Sequence, residues 1–267
     1  GKGNWYGVIF QDRNGVGRVL TLMPCRWIDG WPMLGDENGH VPATMRKPVQ
    51  GYAAKGLVVS DDFKDKKLKL NWQWNHNPMN DCWSLKERKG YLRLKTGRIV
   101  DNLFVAPNTL TQRMEGPECS GVVCMDLSGM KDGDVAGLSA FNSDAGILAV
   151  TCKGNQKFLT MKTESVQLDK TNKAVTGIDR KEIQTIPLTS DKIYLRVDGD
   201  FRLRRDIASF YYSYDNKDWK RIGPDFKMIF DFRRFFMGTK FALFNYATKT
   251  LGGFVDIDFF EYKHIKK

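Results

Sequence analysis

The feature that most constrains this chain is an alternation of apolar and polar residues with a period of two. Successive side chains of a β-strand point to opposite faces, so the alternation predicts half-buried strands. No stretch keeps the period of about 3.6 residues that marks an amphipathic helix. Turn-forming residues interrupt the alternation at 131–134, 142–146, 153–156, 198–200 and 215–218. The sequence therefore predicts an all-β protein with an antiparallel two-sheet sandwich.

Residues 71–96 carry three tryptophans between a polar loop and an alternating strand. Residues 83–85 and 92–94 alternate on either side of a charged segment that ends at Gly90, which predicts a hairpin. Trp74 precedes a polar turn that contains His76. Two interpretations stay open: these side chains line a ligand-facing loop that holds a sugar, or the indoles anchor the sandwich core.

Charge and composition narrow the possible partners. The 42 Lys and Arg exceed the 31 Asp and Glu and give a net charge of +11. The basic residues are scattered, and the densest run, 64–69, is interrupted by Asp65 and Leu68. This pattern favours a solvated face, so we expect no nucleic-acid partner. No apolar run approaches the roughly 18 residues of a membrane span, so we expect no membrane partner.

The cysteine and histidine spacings predict no catalytic metal. The five cysteines show no C-x-x-C pair, and the three histidines lie far apart in the sequence. We therefore expect free thiols and no cofactor for catalysis.

The chain opens with short strands at residues 4–10 and 17–23, followed by an aspartate-glycine turn within residues 26–33. Three or four such strands without a core of their own are typical of one propeller blade. The sequence begins at Gly1 with neither a start methionine nor a signal-peptide pattern, which we interpret as a fragment of a longer protein.

Residues 42–56 contain two prolines and two glycines without periodicity and are predicted to be a linker. The predicted organisation is a propeller fragment at 1–41, the linker, and a sandwich at 57–267. Near the end, two strongly aromatic alternating stretches joined close to Gly252 predict long core strands.

Several motifs carry a resemblance. The runs NWYGVIFQD, GRVLTL and P-x-R-W-x-D-G-W-P-x-x-G resemble the end of the five-bladed β-propeller of glycoside hydrolase family 43. The runs WQWNHNP, GYLRL, NTLTQR, AGLSAF and GGFVDIDFF resemble the β-xylosidase-type C-terminal sandwich, a concanavalin A-like jelly roll, that follows that propeller. Their order and spacing cover nearly the whole chain.

The resemblance implies hydrolysis of β-xylosides or α-L-arabinofuranosides of plant hemicellulose with inversion, by one acid and one base carboxylate. In the family these residues lie on earlier blades, upstream of Gly1. We therefore expect no catalytic residue in this chain, which alone should be inactive. The sandwich is expected to buttress the propeller and to shape an exo-acting pocket.

The expected partners are a xylo- or arabino-oligosaccharide and the remainder of the propeller. A periplasmic or secreted location is favoured over a cytoplasmic one. The alternative function is a carbohydrate-binding module without catalysis.

Glu115, Gly116 and Pro117 reproduce the E-G-P that surrounds the family's catalytic acid. Here this run lies among sandwich motifs, and the sequence places no second carboxylate opposite Glu115. We interpret the match as a coincidence.

The resemblance also implies substrate-binding residues. Arg18 matches an arginine that points into the propeller pocket, although relatives carry a histidine where this chain has Thr21. Phe235 and Phe236 match the place where the sandwich sends an aromatic ring over that pocket. The alternatives are an ion pair at the blade edge for Arg18 and a buried strand end for the two phenylalanines.

The resemblance to concanavalin A-like sandwiches, which often hold Ca²⁺ where their first and last strands meet, implies a candidate structural Ca²⁺ site in this chain. Asp62 and Asp256 stand at these two places and offer hard oxygen ligands. The alternative is that both are ordinary strand-end carboxylates.

Overall fold

The computed structural model of the protein describes residues 3–53, 56–171 and 174–265. The predicted linker falls partly outside the described residues, at 54 and 55, and so does the predicted start at Gly1. The chain forms two compact units, Gly1–Arg13 with Gly17–Gly56, and Asn14–Val16 with Leu57–Lys267. No helix in the described part of the chain has the length and hydropathy of a transmembrane span.

The described residues of the first unit form three antiparallel strands, β1 (Trp5–Asp12), β2 (Arg18–Ile28) and β3 (Trp31–Leu34). A two-residue turn joins β2 to β3, and its residues Asp29 and Gly30 have φ angles of 50° and 80°. The right-handed twist of the strands favours such a turn, and aspartate and glycine tolerate it best. The aspartate-glycine turn predicted from the sequence is therefore confirmed.

The described part of the second unit contains the later strands and two short 3₁₀ turns, Asn14–Val16 and Asn80–Cys82. Its described strands are β4 (Gln73–Trp74), β5 (Trp83–Ser84), β6 (Leu92–Lys95), β7 (Leu110–Arg113), β8 (Glu118–Asp126), β9 (Asp134–Phe141), β10 (Asp144–Lys153), β11 (Gln156–Leu168), β12 (Val175–Pro187), β13 (Lys192–Asp200), β14 (Ile207–Ser213), β15 (Lys220–Arg221), β16 (Phe226–Lys227), β17 (Lys240–Ala247) and β18 (Phe254–His264).

These strands form two sheets. One sheet has the order β12-β11-β10-β9-β17-β7-β4, and the other has the order β15-β14-β13-β8-β18-β6-β5, with β16 paired to β14. The strand pairs are antiparallel, as the sequence predicts. The fold class, an all-β protein with an antiparallel sandwich, is confirmed.

The central strands of the seven-stranded sheet are buried on both faces. Along β17, Phe241 and Leu243 join the core between the sheets, whereas Phe244 and Tyr246 join a second apolar cluster on the opposite face. Residues 100–106 cover this second cluster. We call this covered side the outer face of the sheet, and its burial explains why β9 and β17 are buried at every position.

The predicted hairpin is confirmed, because β5 pairs with β6 and places Trp83 opposite Leu94. The predicted turn at 198–200 is wrong, because these residues belong to β13. A Cβ atom at Gly199 would lie 2.4 Å from the end of the Met114 side chain, which would have to shift to make room.

Candidate functional site

The candidate site is built on the loop between β16 and β17, residues 228–239, which we call the aromatic loop. Phe235 is half-buried, with its ring centroid 5.5 Å from that of Phe104 and 5.7 Å from that of Phe141. Phe236, the next residue, is 60% exposed, and its ring lies 6.2 Å from that of Phe230. One ring therefore anchors the loop while its neighbour faces solvent.

Arg234 fixes the aromatic loop to the seven-stranded sheet. Its guanidinium donates hydrogen bonds to Asp231 Oδ2 at 2.7 Å within the loop and to Ser165 Oγ at 3.0 Å on β11. It also pairs with Asp144 on β10 and donates to the Val166 carbonyl at 3.2 Å. A planar guanidinium with several fixed acceptors loses little additional freedom per bond, so the loop is held rigidly.

His76 and Phe235 meet through Phe104. The Phe104 carbonyl accepts a hydrogen bond from Asn75 Nδ2 at 3.2 Å and lies 2.8 Å from His76 Nε2. The exposed imidazole of His76 therefore supports the segment on which Phe235 packs.

Trp74 points to the other face of the sheet. Its indole is half-buried, packs against the main core and lies 5.3 Å from the ring of Trp83. This is the position of a core anchor, one of the two interpretations that the sequence left open.

A buried charge network holds the segment that carries Phe104, and sequence reasoning missed it. Glu164 on β11 accepts hydrogen bonds from the Leu103 backbone N–H at 3.1 Å and from Lys162 Nζ at 2.8 Å. Arg180 on β12 donates to the same carboxylate at 3.1 Å. The alternation along β11 points these charged residues out of the core, so the sequence alone indicates a solvated face and gives no signal of the covering segment.

Arg18 lies at the start of β2 in the first unit. Its Nε donates to Asp12 Oδ1 at 2.8 Å, and its guanidinium carbon lies 4.3 Å from the centroid of the Phe10 ring. Thr21 lies on the same strand. The ion pair that the sequence offered as an alternative is present.

The two expected calcium ligands have cationic partners. Asp62 is exposed, and the hydrogen bond from Lys64 Nζ to Oδ2, 2.9 Å long, lowers its pKa. Asp256 is buried on β18 and accepts from Arg93 Nε at 2.7 Å and from Arg88 at 3.1 Å. Guanidinium groups already occupy its oxygens, so this donor set does not fit Ca²⁺. Among the described residues, no group of three or more His, Cys, Asp or Glu could hold a metal ion.

Glu115 lies between two basic side chains. Its Oε2 is 3.5 Å from His264 Nε2, and its Oε1 is 3.7 Å from Arg113 Nε. Its backbone N–H donates to Tyr262 Oη at 2.8 Å. These contacts are those of a structural ion pair beside β18.

Two antiparallel sheets packed over one core define the second unit as a β-sandwich. The chain belongs to the family of β-xylosidase C-terminal concanavalin A-like domains, whose sequence model matches residues 60–263. The resemblance to glycoside hydrolase family 43 is thereby confirmed.

Among its relatives is a β-xylosidase of Formosa agariphila, 31% identical over 93% of this chain and 43% of that protein. A solved bifunctional GH43-CE structure from Bacteroides eggerthii is 43% identical with a TM-score of 0.87 and covers 100% of this chain and 33% of the other. A GH43 glycoside hydrolase engineered to display both endo-xylanase and exo-arabinofuranosidase activity is 32% identical, with a TM-score of 0.86. The match covers 99% of this chain and 53% of that one. The chain thus spans less than two thirds of the length of these relatives, which are glycoside hydrolases.

Proposed function

We propose that this chain is the C-terminal part of an inverting glycoside hydrolase that cleaves β-xylosides or α-L-arabinofuranosides of plant hemicellulose. In this proposal the sandwich buttresses the propeller, and Phe236 closes an exo-acting pocket. The observation that carries it is an exposed aromatic ring on a loop that Arg234 holds to the sheet. The family and the relatives' activities support the substrate class.

The rigid loop gives Phe236 a physical role. An aromatic face stacks on the apolar face of a sugar ring, and a ring over a pocket excludes water. Phe235 anchors the loop, and His76 steadies the segment beneath it. Trp74 contributes from the core by supporting β4.

Arg18 supplies hydrogen-bond donors to sugar hydroxyls or to a nearby carboxylate in the propeller pocket. In the present chain one of its donors is bound to Asp12.

The first unit supports the proposal that further propeller blades accompany this chain. Its three strands leave apolar side chains exposed on both faces, including Trp5 and Ile9 on one face of β1 and Val8 on the other. Three strands cannot bury two apolar faces, and such surfaces mark interaction sites. The remaining blades are the proposed occupants, and they would carry the acid and the base.

The test replaces Phe236 by alanine in the longer protein that includes those blades. Loss of the ring should lower kcat/KM for aryl xylosides or arabinofuranosides by about tenfold or more, since stacking and water exclusion are lost in the transition state. Phe232→Ala is the matched control, because Phe232 is also exposed on the aromatic loop. Equal kcat/KM values for the two variants would contradict the role of Phe236.

Affinity electrophoresis distinguishes this proposal from a carbohydrate-binding module. A buttress should migrate through xylan or arabinoxylan gels without retardation, whereas a module should be retained. Retention by this chain alone would favour the module.

A structural Ca²⁺ at Asp62 and Asp256 stays a prediction of the sequence. The ion would have to replace Lys64 at Asp62 and two arginines at Asp256. A thermal midpoint that is higher in calcium than in chelator would support it, and an unchanged midpoint would exclude it.

A further inference from the structure

Lys240 is a buried cation that has no carboxylate partner in the part of the chain that the structure describes. It is the first residue of β17, it lies opposite Arg113 and Phe141 on the neighbouring strands, and it is only 7% exposed. Its Nζ donates one hydrogen bond, 2.6 Å long, to Oε1 of the exposed Gln73. An ammonium group has three N–H donors, so two of them have no acceptor among the residues that the structure describes.

The surroundings of Lys240 add positive charge. Within residues 3–53, 56–171 and 174–265, no carboxylate oxygen lies within 4.0 Å of its Nζ. Burial, together with the nearby Arg113 guanidinium, lowers the pKa of Lys240 to about 8. Arg113 itself faces Glu115 at 3.7 Å, so the group of three side chains keeps one net positive charge.

Lys162 is a buried lysine of the same sheet that has a carboxylate partner, and it can be compared with Lys240. It lies on the same outer face and is 8% exposed, nearly the same as Lys240. Its Nζ pairs with Glu164 Oε1 at 2.8 Å and lies 3.4 Å from Tyr246 Oη. Because an uncompensated buried charge is costly, the contrast indicates that Lys240 lacks an anionic partner among the described residues.

We propose that Lys240, Gln73 and Arg113 form the protein half of an anion site that binds a carboxylate. The two remaining ammonium donors and the exposed edge of the guanidinium suit the two oxygens of one carboxylate. A single net positive charge matches a singly charged anion better than a phosphate. The carboxylate belongs either to a uronic acid sugar, which rests on the proposed function, or to an Asp or Glu of the residues that accompany this chain in the longer protein.

The melting temperatures of two variants of this chain test, without any ligand, whether the charge of Lys240 is uncompensated. Lys240→Met removes an uncompensated buried charge and should raise the melting temperature of this chain. Lys162→Met is the matched control; it takes a partner from buried Glu164 and should lower the melting temperature. A fall for Lys240→Met as large as that for Lys162→Met would overturn the proposal.

Ligand titration identifies the source of the carboxylate. Sodium glucuronate should raise the melting temperature of this chain in a saturable way, whereas glucose and sodium chloride should not. Lys240→Met should weaken the glucuronate effect at least tenfold. The effect should also fade as the pH rises above about 8, where Lys240 loses its proton.

If glucuronate has no effect, the pKa of Lys240 is measured by NMR with ¹³C-labelled lysine, in this chain and in the longer protein. A pKa of about 8 here that rises above the ordinary 10.5 in the longer protein would assign the carboxylate to the polypeptide. No glucuronate effect together with an unchanged pKa would overturn the site.

Discussion

At the scale of single residues, Asp134 is a carboxyl group whose pKa is governed mainly by burial. It begins β9, is fully buried, and its Oδ2 accepts one hydrogen bond from the Lys131 backbone N–H at 2.8 Å. Its Oδ1 has no hydrogen-bond partner within the described chain. Burial outweighs that bond and raises the pKa of Asp134 from 3.8 to about 6.

The raised pKa sets the sign of a pH dependence. The folded protein binds the proton of Asp134 more tightly than the unfolded chain does. The stabilisation of the fold by this proton is therefore complete below about pH 3.8, and it is lost as the pH rises through about 6. A shift of this size corresponds to about 3 kcal/mol. We expect the free energy of unfolding of the native chain, minus that of Asp134→Asn, to fall by up to this amount between pH 4 and pH 7.

Chemical denaturation at several pH values measures this difference. Asp132→Asn is the control, because Asp132 lies partly exposed in the same turn and the backbone N–H of Gly154 lowers its pKa. The free energy of unfolding of the native chain, minus that of Asp132→Asn, should change little with pH, and it should rise rather than fall as the pH increases. Parallel pH profiles for native protein and Asp134→Asn would show that Asp134 is not perturbed.

At the scale of elements, close packing between β9 and β10 requires glycine at position 137. A Cβ atom there would lie 1.9 Å from the Leu148 carbonyl oxygen, which is backbone and cannot rotate away. We expect Gly137→Ala to destabilise the fold by about 3 kcal/mol or more, since overpacking forces the strands apart.

Gly177 on β12 provides the matched control. A Cβ atom there would approach only the Gln167 side chain, at 3.8 Å. We expect Gly177→Ala to be neutral or to stabilise by about 0.5 kcal/mol through the unfolded state. Urea unfolding of both variants decides the matter; similar midpoints would mean that the strands adapt.

The strands were predictable from the sequence because alternation and turn residues act locally. The aspartate-glycine turn at Asp29 and the hairpin at Trp83 follow from that chemistry. The buried roles of Lys162 and Glu164 were not predictable, because they depend on a distant segment that covers the sheet. The fixing of the aromatic loop by Arg234 likewise depends on β10 and β11, which are remote in sequence.

At the scale of the whole molecule, we propose that the aromatic loop and the catalytic acid and base lie in different parts of the longer protein. The sandwich supplies a rigid aromatic loop and an anion site, and Glu115 is held by His264 and Arg113 in an ion pair. Inversion requires two carboxylates spaced to admit a water as well as the sugar. We propose that both carboxylates lie on propeller blades outside this chain.

The most direct test of that assignment is the hydrolysis of aryl β-xylosides and aryl α-L-arabinofuranosides. It is measured for this chain alone and for this chain joined to the remaining propeller blades. We predict release of the aryl group at the background rate for the chain alone and turnover for the longer protein. Turnover by the chain alone that survives purification and is abolished by Glu115→Gln would contradict the account, because the acid would then lie within the sandwich.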